Sequence, residues 1–443
     1  MNPVPIERVV DLIEPERNIL LNMSYEEAYR RVLSGDSQAV GEIDGQFCIV
    51  ARDGKTVRLA RSLGRPLRYF LAKRAEGPCL IVAETIRQIH DALQADGLED
   101  QFHPSYSRMV PAHHVLELQL VGCPDPNPQL TRFFDPQRES LNADVAEIGE
   151  RYIGQLAREC ELWLNSIEAS EPIGVMFSGG VDSASVLLVL YDLLLKRVEN
   201  PARLKAFTLA VSGEESSDVK QAREFLKRLH LEMLLEIVEV EPAAVDWQET
   251  IGVIEDYKPL DVQAAAMGLA LCKEIRQRYS TWKWLVDGDG GDENLKDYPI
   301  EENPELTIRS VLNNQMLYQE GWGVDAIKHS LVYSGGQSRG HVRTAAPAKA
   351  CGFYGFSPYA LPNVIEIAEG IPFIELTDWD HEKLYGLKGR VVSAGVKAIT
   401  GIDMPIFPKQ RFQRGAASDS QFNALFPASE LAYRREFEAQ FVG

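Results

Sequence analysis

Apolar and polar positions alternate in two different ways along the chain, and the change occurs near residue 140. Before it, short apolar runs separated by turn residues predict mainly antiparallel strands with a few helices. After it, strand-like apolar runs alternate with segments of helical periodicity, which predicts a parallel sheet covered by helices on both faces. Beyond residue 300 the pattern is mostly helical, with long connections. The sequence therefore predicts an α/β fold preceded by a mostly antiparallel β domain.

The expected elements follow from these runs. In the first part, the strand-like runs lie within residues 46–54, 57–64, 67–72, 79–85 and 113–122. In the second part, the helical segments are 144–167, 218–229 and 262–279, and the strands are 173–177, 204–211, 232–240 and 282–286. A further helix is expected directly after the strand at 173–177. In open α/β folds, ligands bind where such strands end.

A segment without periodicity separates the two parts. Residues 123–130, CPDPNPQL, are dense in Pro, Asn and Asp, which is typical of a linker. We therefore expect a first domain over residues 1–125, a linker over 126–142 and a second domain over 143–443.

The charge balance narrows the choice of partners. The 443 residues include 46 Lys and Arg against 65 Asp and Glu, a formal net charge of −19. A chain this acidic does not present the broad basic surface that nucleic acids need. We expect small-molecule ligands and no nucleic-acid partner, and any small anion must be bound by local geometry.

Cysteine usage and hydropathy predict a cytoplasmic protein. The six cysteines are scattered and form no Cys-x-x-Cys pair, which is typical of buried thiols in a reducing compartment rather than a zinc or iron–sulfur site. The first ten residues lack the basic and apolar regions of a signal peptide. The longest apolar run ends at Asp192 and is too short to cross a membrane, so no membrane partner is expected.

The turn SGGVDS, residues 178–183, interrupts two apolar runs at the end of a predicted strand. The first turn of a helix leaves backbone N–H groups unpaired, and the helix dipole adds partial positive charge there. The two glycines remove side chains that would keep an anion away from these groups. The two serines add hydroxyl donors, and Asp182 would hold the magnesium that accompanies a nucleotide phosphate. The turn thus predicts a pyrophosphate site; the simpler alternative is an ordinary turn with Ser and Asp as helix caps.

A second glycine turn, VDGDGGDENLKDYP, follows the predicted strand 282–286. It carries four carboxylates: Asp287, Asp289, Asp292 and Glu293. Acidic loops are usually solvated turns or weak calcium sites, but the calcium-ligand spacing is absent here. Beside a pyrophosphate site, these carboxylates would complete a magnesium site or take a proton from an attacking amine.

Together the two turns resemble those of a known enzyme family. SGGVDS resembles the pyrophosphatase loop (PP-loop) of enzymes that cut ATP between its α- and β-phosphates and activate a carboxylate or carbonyl as an adenylate. The acidic turn is similar to the SGEGADE loop of the asparagine synthetase and β-lactam synthetase branch, and similarity extends over most of residues 145–415. The resemblance implies ATP and Mg²⁺ as cofactors, with Asp182 and Asp292 as the metal ligands.

The resemblance implies further roles. Lys409, in the stretch FPKQRFQRG, would stabilise charge on the adenylate and the departing AMP, although a lone lysine is more often a surface residue. Asp289 and Glu293 are the other catalytic candidates, and Val253, in GVIEDYKPLD, would line the adenine pocket. The implied ATP- and pyrophosphate-binding residues are Ser178, Gly179, Gly180, Asp182, Ser183, Leu209, Asp218, Val253 and Gly288.

The acidic turn also departs from the family pattern. Asp289 stands where the family has a Glu, so its carboxylate is one methylene shorter. Asp287 stands in place of a Ser, and Lys296-Asp297 replaces a Gly-Gly pair before Tyr298.

Another departure bears on the substrate. The family's asparagine synthetases have a Glu and an Arg near the substrate, where this chain has Tyr354 and Phe356; Arg343 upstream fits the pattern. These aromatic residues predict a pocket for a larger or less polar substrate than free aspartate. The alternative, equally open, is that they pack the core.

The first domain resembles the N-terminal-nucleophile (Ntn) glutaminase domain of the same family, over residues 41–90 and the stretch VPAHHVLEL. That domain needs an N-terminal cysteine, because its α-amino group is the base, whereas residue 2 here is Asn2. Cys48 lies inside an apolar strand and is expected in the core. We therefore expect a degenerate glutaminase-like domain, and an amine that comes from ammonia, from a separate substrate or from the molecule that carries the carboxylate.

These interpretations lead to one function class with two alternatives. We expect an ATP-dependent amide-bond-forming synthetase, β-lactam synthetase-like, that adenylates a small-molecule carboxylate, releases pyrophosphate and then AMP, and has no glutaminase activity. One alternative is a PP-loop transferase that moves sulfur or an amine onto another carbonyl, which the acidic charge disfavours for nucleic-acid substrates. The other is a catalytically inactive ATP-binding or scaffold homologue. A homodimer is left open.

Overall fold

The structure is a computed structural model that describes residues 4–6, 8–123, 127–212, 216–298, 300, 307–313, 340–407 and 415–442. The chain divides into two compact units. The described residues up to Asp135, together with 437–442, belong to the first unit, and those between Pro136 and Glu436 belong to the second. The division falls inside the segment 126–142 that was expected to be a linker, although part of that segment is a strand.

Among its described residues, the first unit contains short strands and three α-helices. The strands are β1 Val4–Pro5, β2 Arg8–Asp11, β3 Ile19–Leu20, β4 Gly45–Gln46, β5 Cys48–Asp53, β6 Thr56–Arg61, β7 Arg68–Ala72, β8 Cys79–Ala83, β9 Arg108–Met109, β10 His114–Gln119, β11 Val121–Cys123 and β12 Gln129–Arg132. The helices are α1 Tyr25–Ser34, α2 Ser37–Gly41 and α3 Ile86–Ala95. The strand β12 pairs with β10, so these residues extend a sheet instead of linking domains.

Two four-stranded sheets form the body of the first unit. One has the order β12-β10-β6-β5 and is antiparallel throughout. The other has the order β2-β8-β7-β9, in which only the β2–β8 pair is parallel. The predicted antiparallel character is therefore confirmed. Because β8 is buried along its whole length, it reads as a continuous apolar run, CLIVA.

The second unit alternates strands and helices. Its strands are β13 Ile173–Met176, β14 Leu204–Val211, β15 Leu235–Val240, β16 Trp284–Val286 and β17 Tyr354–Phe356. Its helices up to residue 313 are α4 Val145–Ser166, α5 Val181–Lys196, α6 Ser217–Arg228, α7 Trp247–Ile254, α8 Pro259–Arg278, α9 Gly291–Asn294 and α10 Ile308–Asn313. A π-helical turn, His341–Ala345, then leads into α11 Ala346–Ala350. It is followed by α12 Pro362–Glu369, α13 Phe373–Thr377, α14 His381–Thr400 and α15 Asp419–Leu425. The last helix, α16, is Glu430–Phe441.

A parallel sheet with the strand order β15-β14-β13-β16-β17 forms the centre of the second unit. The predicted α/β fold is thus confirmed, with β17 as an edge strand that the apolar pattern did not indicate. The strands β13 and β16 are neighbours in register, with Val175 opposite Val286. Since parallel strands end at the same edge, the two glycine turns that follow these strands leave the sheet side by side. Among the described residues, none of the helices has the length and apolar character that crossing a membrane requires.

The long helices α4 and α14 pack closely on each other. Their contact depends on two glycines, Gly149 and Gly395, because a Cβ atom at Gly395 would overlap the carbonyl oxygen of Gly149 and lie 2.5 Å from Ile153 Cγ1. Only glycines allow two helix backbones to approach this closely. The contact matters for the site because α14 carries a buried lysine, Lys388, whose place is described below.

Substituting these glycines tests the helix contact. Gly395→Ala should destabilise the protein by about 1–3 kcal/mol, because the added methyl group forces the two helices apart. Gly386→Ala is the matched control on the same helix: no atom lies within 4 Å of its added Cβ, so it should gain up to about 1 kcal/mol from helix propensity. Chemical denaturation of both variants measures the difference. Equal stability of the two variants would contradict the close approach.

Candidate functional site

The SGGVDS turn has the geometry of an anion cradle. The strand β13 ends at Met176 and α5 begins at Val181, so the chain reverses from strand to helix within the turn. Gly179 has a φ of +74°, and an added Cβ would lie 3.0 Å from the backbone nitrogen of Ala222. Gly180 is the N-cap of α5 and no side chain caps it, so the ordinary-cap alternative does not describe this helix start. The N–H groups in the first turn of a helix have no partner within the helix, which makes this position suitable for an anion.

The two serines of the turn support its shape. The hydroxyl of Ser183 accepts a hydrogen bond from Ser178 N over 3.3 Å, and the Ser178 hydroxyl accepts one from Gly180 N over 3.2 Å. Both side chains therefore point into the turn, next to the start of α5. The structure brings together all the turn residues that the sequence predicts for the pyrophosphate.

The acidic turn after β16 packs directly against the first turn. A Cβ atom at Gly288 would lie 2.6 Å from Ser183 N, and one at Gly291 would overlap the carboxylate of Asp182. Gly290 has a φ of +98°, a conformation that favours glycine. The glycines of this loop are therefore required both by the backbone and by the closeness of the two loops.

The ammonium group of Lys388 lies between the carboxylates of both turns. It forms ion pairs with Asp182 Oδ2 and Asp292 Oδ1, and its Nζ atom lies 3.5 Å from Asp297 Oδ2. Burial opposes a charged lysine, but the three carboxylates outweigh it, so the pKa of Lys388 is raised well above its ordinary value. The two predicted metal ligands thus converge on a single cationic position.

This position suits the predicted magnesium ion in its chemistry. Carboxylate oxygens are the ligands that Mg²⁺ prefers, and Mg²⁺ is usually bound by one or two carboxylates together with substrate phosphates. Asp182 and Asp292 provide two such carboxylates beside the anion cradle. Within the described ranges, no group of three or more His, Cys, Asp or Glu residues is placed to hold a metal ion by itself. A nucleotide phosphate would have to complete the coordination.

Sequence reasoning did not identify Lys388. Its signal is present in the sequence: Leu384, Leu387 and Val391 form the buried stripe of α14, and Lys388 occupies a position on the same stripe. A lysine on the apolar face of a helix is rarely buried without a charged partner. That partner lies in another part of the chain, so only the fold identifies it.

A second polar cluster lies beneath the acidic turn. Asp287 Oδ2 accepts hydrogen bonds from the hydroxyls of Ser357 over 2.9 Å and Thr344 over 3.0 Å. Asp289 Oδ2 lies 2.6 Å from the same Thr344 hydroxyl. Desolvation raises the pKa of Asp287 to about 6, and desolvation together with the neighbouring Asp287 charge raises the pKa of Asp289 well above its ordinary value. Ser357 and Thr344 were not predicted as site residues.

The predicted residues Glu293 and Arg343 lie near this cluster. Glu293 is buried in the short helix α9. Arg343 lies in the π-helical turn and donates two hydrogen bonds to Asp261 Oδ1, over 2.8 and 3.0 Å. Its guanidinium is therefore held by a carboxylate of this chain, which the sequence did not predict.

The two aromatic substrate candidates differ from each other. Phe356 is completely buried and its ring stacks on Trp163, with 4.6 Å between centroids, so for this residue the structure favours the alternative that it packs the core. Tyr354 is partly exposed on the edge strand β17 and lies against Trp284. Only Tyr354 of this pair has surface to offer a substrate.

The nucleotide-pocket candidates are also spread between core and surface. Leu209 is buried in the apolar core around β14, so its side chain contributes packing and only its backbone would face a ligand. Val253 lies in α7 and is partly exposed. Asp218 is buried in the first turn of α6, where it contacts Gly415. Lys409 lies outside the described residues.

A buried tyrosine, Tyr359, connects the two loops through hydrogen bonds. The hydroxyl of Tyr359 hydrogen-bonds to Ser185 over 2.6 Å, and Ser185 in turn donates to the carbonyl oxygen of Asp182. The Tyr359 carbonyl accepts a hydrogen bond from the side chain of Asn294, in α9, over 2.9 Å. These bonds fix the start of α5 relative to the acidic turn.

In the first unit, Cys48 does not have the environment of a nucleophile. It is completely buried at the start of β5, its thiol is directed at Glu84 over 3.6 Å, and burial raises its pKa. Nucleophilic cysteines are partly exposed and have a lowered pKa. The expectation that Cys48 lies in the core is confirmed, whereas Asn2 lies outside the described residues.

Comparison with known proteins agrees with the two-loop geometry. Residues 165–339 match the family model for asparagine synthase, a segment that includes both glycine turns but less than half of the chain. No curated protein matches the chain. The predicted resemblance is thus confirmed for this segment; the matched segment contains neither the first unit nor the positions of Lys388 and Lys409.

Removing the buried ammonium tests the charge balance of the site. Lys388→Gln should destabilise the protein by about 2–3 kcal/mol, because three carboxylates lose their shared cation while Asp292 keeps some solvent. Added Mg²⁺ should stabilise this variant more than the wild type, since the carboxylates become available to the metal. Thermal denaturation with and without Mg²⁺ measures both effects. Lys383→Gln, exposed on the same helix, is the control, and an equal response of the two variants would contradict the assignment.

The buried carboxyl of Asp218 predicts a pH dependence of stability. Desolvation raises its pKa from 3.8 to about 8, so the folded protein keeps this proton at pH values where the unfolded chain has released it. Stability should therefore fall as pH rises from about 4 to about 8. In Asp218→Asn this contribution is absent, and the stability of the variant relative to wild type should increase over the same range. Denaturation midpoints at a series of pH values measure this difference; a constant difference would show that the carboxyl is ionised in the fold.

Proposed function

Residues 165–339 carry an asparagine synthase domain, a type found in ATP-dependent carbon–nitrogen ligases, and from this premise we propose that the protein is an amide synthetase. In this proposal it adenylates a small-molecule carboxylate with ATP, releases pyrophosphate, and joins the acyl group to an amine with release of AMP. It does so without hydrolysing glutamine.

One observation carries the proposal. Asp182 and Asp292, from turns more than a hundred residues apart in sequence, meet at one cationic position directly beside the first turn of α5. A site that pairs an anion cradle with two carboxylates fits a magnesium–phosphate ligand, which carries both charges. An ordinary strand-to-helix turn has no need of the second carboxylate.

Different residues of the site would bind different parts of the magnesium–ATP ligand. The N–H groups at the start of α5 and the hydroxyls of Ser178 and Ser183 would hold the pyrophosphate part of ATP. Asp182 and Asp292 would hold Mg²⁺, which neutralises charge on the phosphates. With Mg²⁺ bound to these carboxylates, the Lys388 ammonium would pair with a phosphate oxygen instead. Its positive charge then supports the pyrophosphate as it leaves.

The amine would react near the acidic turn. Asp289 is partly accessible, while Glu293 and Asp287 lie deeper. An amine that attacks the adenylate must lose a proton, and a carboxylate within reach accelerates this step. The role of Lys409 in stabilising the departing AMP stays a prediction from resemblance.

The first unit supports an amine source other than glutamine. Cys48 is enclosed in the core with a raised pKa, so it offers no thiolate for glutamine hydrolysis. In the proposal, ammonia or an amine substrate reaches the second unit directly. The partly exposed Tyr354 supports a substrate larger than free aspartate, although Phe356 does not contribute to such a pocket.

The test is the release of AMP and pyrophosphate from MgATP across a panel of amino acids and small carboxylates, with ammonium or with glutamine. One carboxylate should support pyrophosphate release, and glutamine should not replace ammonium. Asp182→Asn and Asp292→Asn should each lower kcat/KM by about 100-fold or more, because each removes charge that holds the metal. Asp192→Asn, a partly buried position on α5 that pairs with Lys196, should leave turnover unchanged.

The outcomes separate the alternatives. ATP binding without pyrophosphate release under every condition would support an inactive scaffold. Release that depends on tRNA would support a transferase that acts on nucleic acid. Full turnover in Asp182→Asn would contradict the proposed site itself.

A further inference from the structure

Three acceptor oxygens surround the hydroxyl group of Thr344. Its Oγ1 atom lies 3.0 Å from Asp287 Oδ2, 2.6 Å from Asp289 Oδ2 and 3.0 Å from the carbonyl oxygen of Gly340. A threonine hydroxyl has one proton to donate, and ionised carboxylates and carbonyls have none. If both aspartates were ionised, two of these three contacts would lack a proton. A proton on one of the aspartates would supply the second of these contacts, so the arrangement favours one protonated aspartate.

The hydrogen bonds decide which aspartate carries it. Asp287 accepts from Ser357 and Thr344 at one oxygen and from the Asp289 backbone N–H, over 3.0 Å, at the other. Such donors favour the ionised form. The Asp289 carboxyl has, among the residues that the structure describes, a hydrogen bond only with the Thr344 hydroxyl. The ionised state belongs to Asp287 and the proton to Asp289.

The two carboxyls also differ in access. Asp287 is only 3 % exposed, at the end of β16, whereas Asp289 is partly accessible in the loop. An approaching substrate can touch Asp289 but not Asp287. Thr344 lies between them, so the three groups form a line from the accessible face of the loop to the interior.

We propose that Asp287, Thr344 and Asp289 form a proton relay in which the buried Asp287 is the final acceptor of the proton that the amine loses. The inference rests on the proposed amide synthetase. Asp289 was predicted as a group that accepts the proton of the amine. In the relay Asp289 receives this proton and passes on its own, so the carboxylate that becomes protonated is the buried Asp287.

The relay transfers protons without any further reactant. As the nitrogen lone pair forms the C–N bond and AMP leaves with the electrons of the broken C–O bond, the amine N–H bond breaks and its proton binds Asp289 Oδ1. The proton on Asp289 Oδ2 passes to Thr344 Oγ1, and the hydroxyl proton of Thr344 passes to Asp287 Oδ2. The aspartate pair changes from a charge of −1 to neutral, and it later returns the proton to solvent.

Other charged groups face the relay and set its environment. Glu293 and Arg343 act electrostatically on Asp289, and Arg343 is itself held by Asp261 of α8. Asp287 acts on the buried thiol of Cys272, also in α8. Glu293 favours a protonated Asp289 and Arg343 opposes it, so neither alone explains the asymmetry between the two aspartates.

The shared proton can be tested in the free protein, without a substrate. Infrared spectra of protein labelled with carbon-13 aspartate should show, at pH 7, a protonated carboxyl that is absent in Asp289→Asn. In Asp287→Asn this carboxyl should ionise at lower pH, because Asp289 loses a like-charged neighbour. A wild-type spectrum at pH 7 without any carboxyl signal that depends on Asp289 would overturn the relay.

The relay function is tested by measuring adenylation and amide formation separately in Thr344→Val and Thr344→Ser. Valine has the shape of threonine but no hydroxyl, whereas serine keeps it. With the carboxylate found in the panel, Thr344→Val should retain ATP–pyrophosphate exchange and lose about 100-fold in the rate of amide formation with ammonium. Thr344→Ser should keep both rates within a few-fold of wild type.

Each outcome separates the relay from the proposed function. Equal losses of exchange and amide formation in Thr344→Val would show a merely structural role and overturn the relay. Unchanged amide formation in Thr344→Val would overturn it too, while the synthetase function stands. Absence of exchange in the wild type with every carboxylate would overturn the synthetase function, and the relay role with it.

Discussion

The ion pairs of Lys388 with Asp182 and Asp292 hold together the part of the molecule on which its chemistry depends. Two acidic loops that leave a sheet side by side repel each other unless a cation lies between them. An ammonium group on a buried helix face supplies that cation within the chain itself, and Asp297 adds a third carboxylate to it. Lys388 thus occupies the point at which the carboxylates of both loops converge.

The second constraint is the close approach of backbone segments, which glycine makes possible both between the two loops and between two helices. The two loops touch at Gly288 and Gly291, which leave no room for a side chain. The helix that carries Lys388 reaches its place through the contact between Gly149 and Gly395. Packing of helices well away from the loops therefore decides where the ammonium group lies, so stability and site geometry are linked.

Beneath the loops, burial favours the protonated form of several carboxyl groups. Asp287 and Asp289 share the Thr344 hydroxyl, and desolvation raises the pKa of both. Asp218, in a separate position, has a pKa that burial raises to about 8. All three aspartates lie within the segment that matches the family model.

The sequence by itself determined the two loops and most of the sheet, because strand ends, glycine turns and amphipathic helices depend on residues that are neighbours in the chain. The helix expected over 144–167 is Val145–Ser166, and the strand expected over 173–177 is Ile173–Met176. The short edge strand β17 has too few residues for a pattern to show. Only the tertiary structure decided that Lys388 completes the site, that Thr344 joins two aspartates and that Phe356 packs the core. These are contacts between segments far apart in the chain, and the local sequence pattern does not specify which distant residue a side chain contacts.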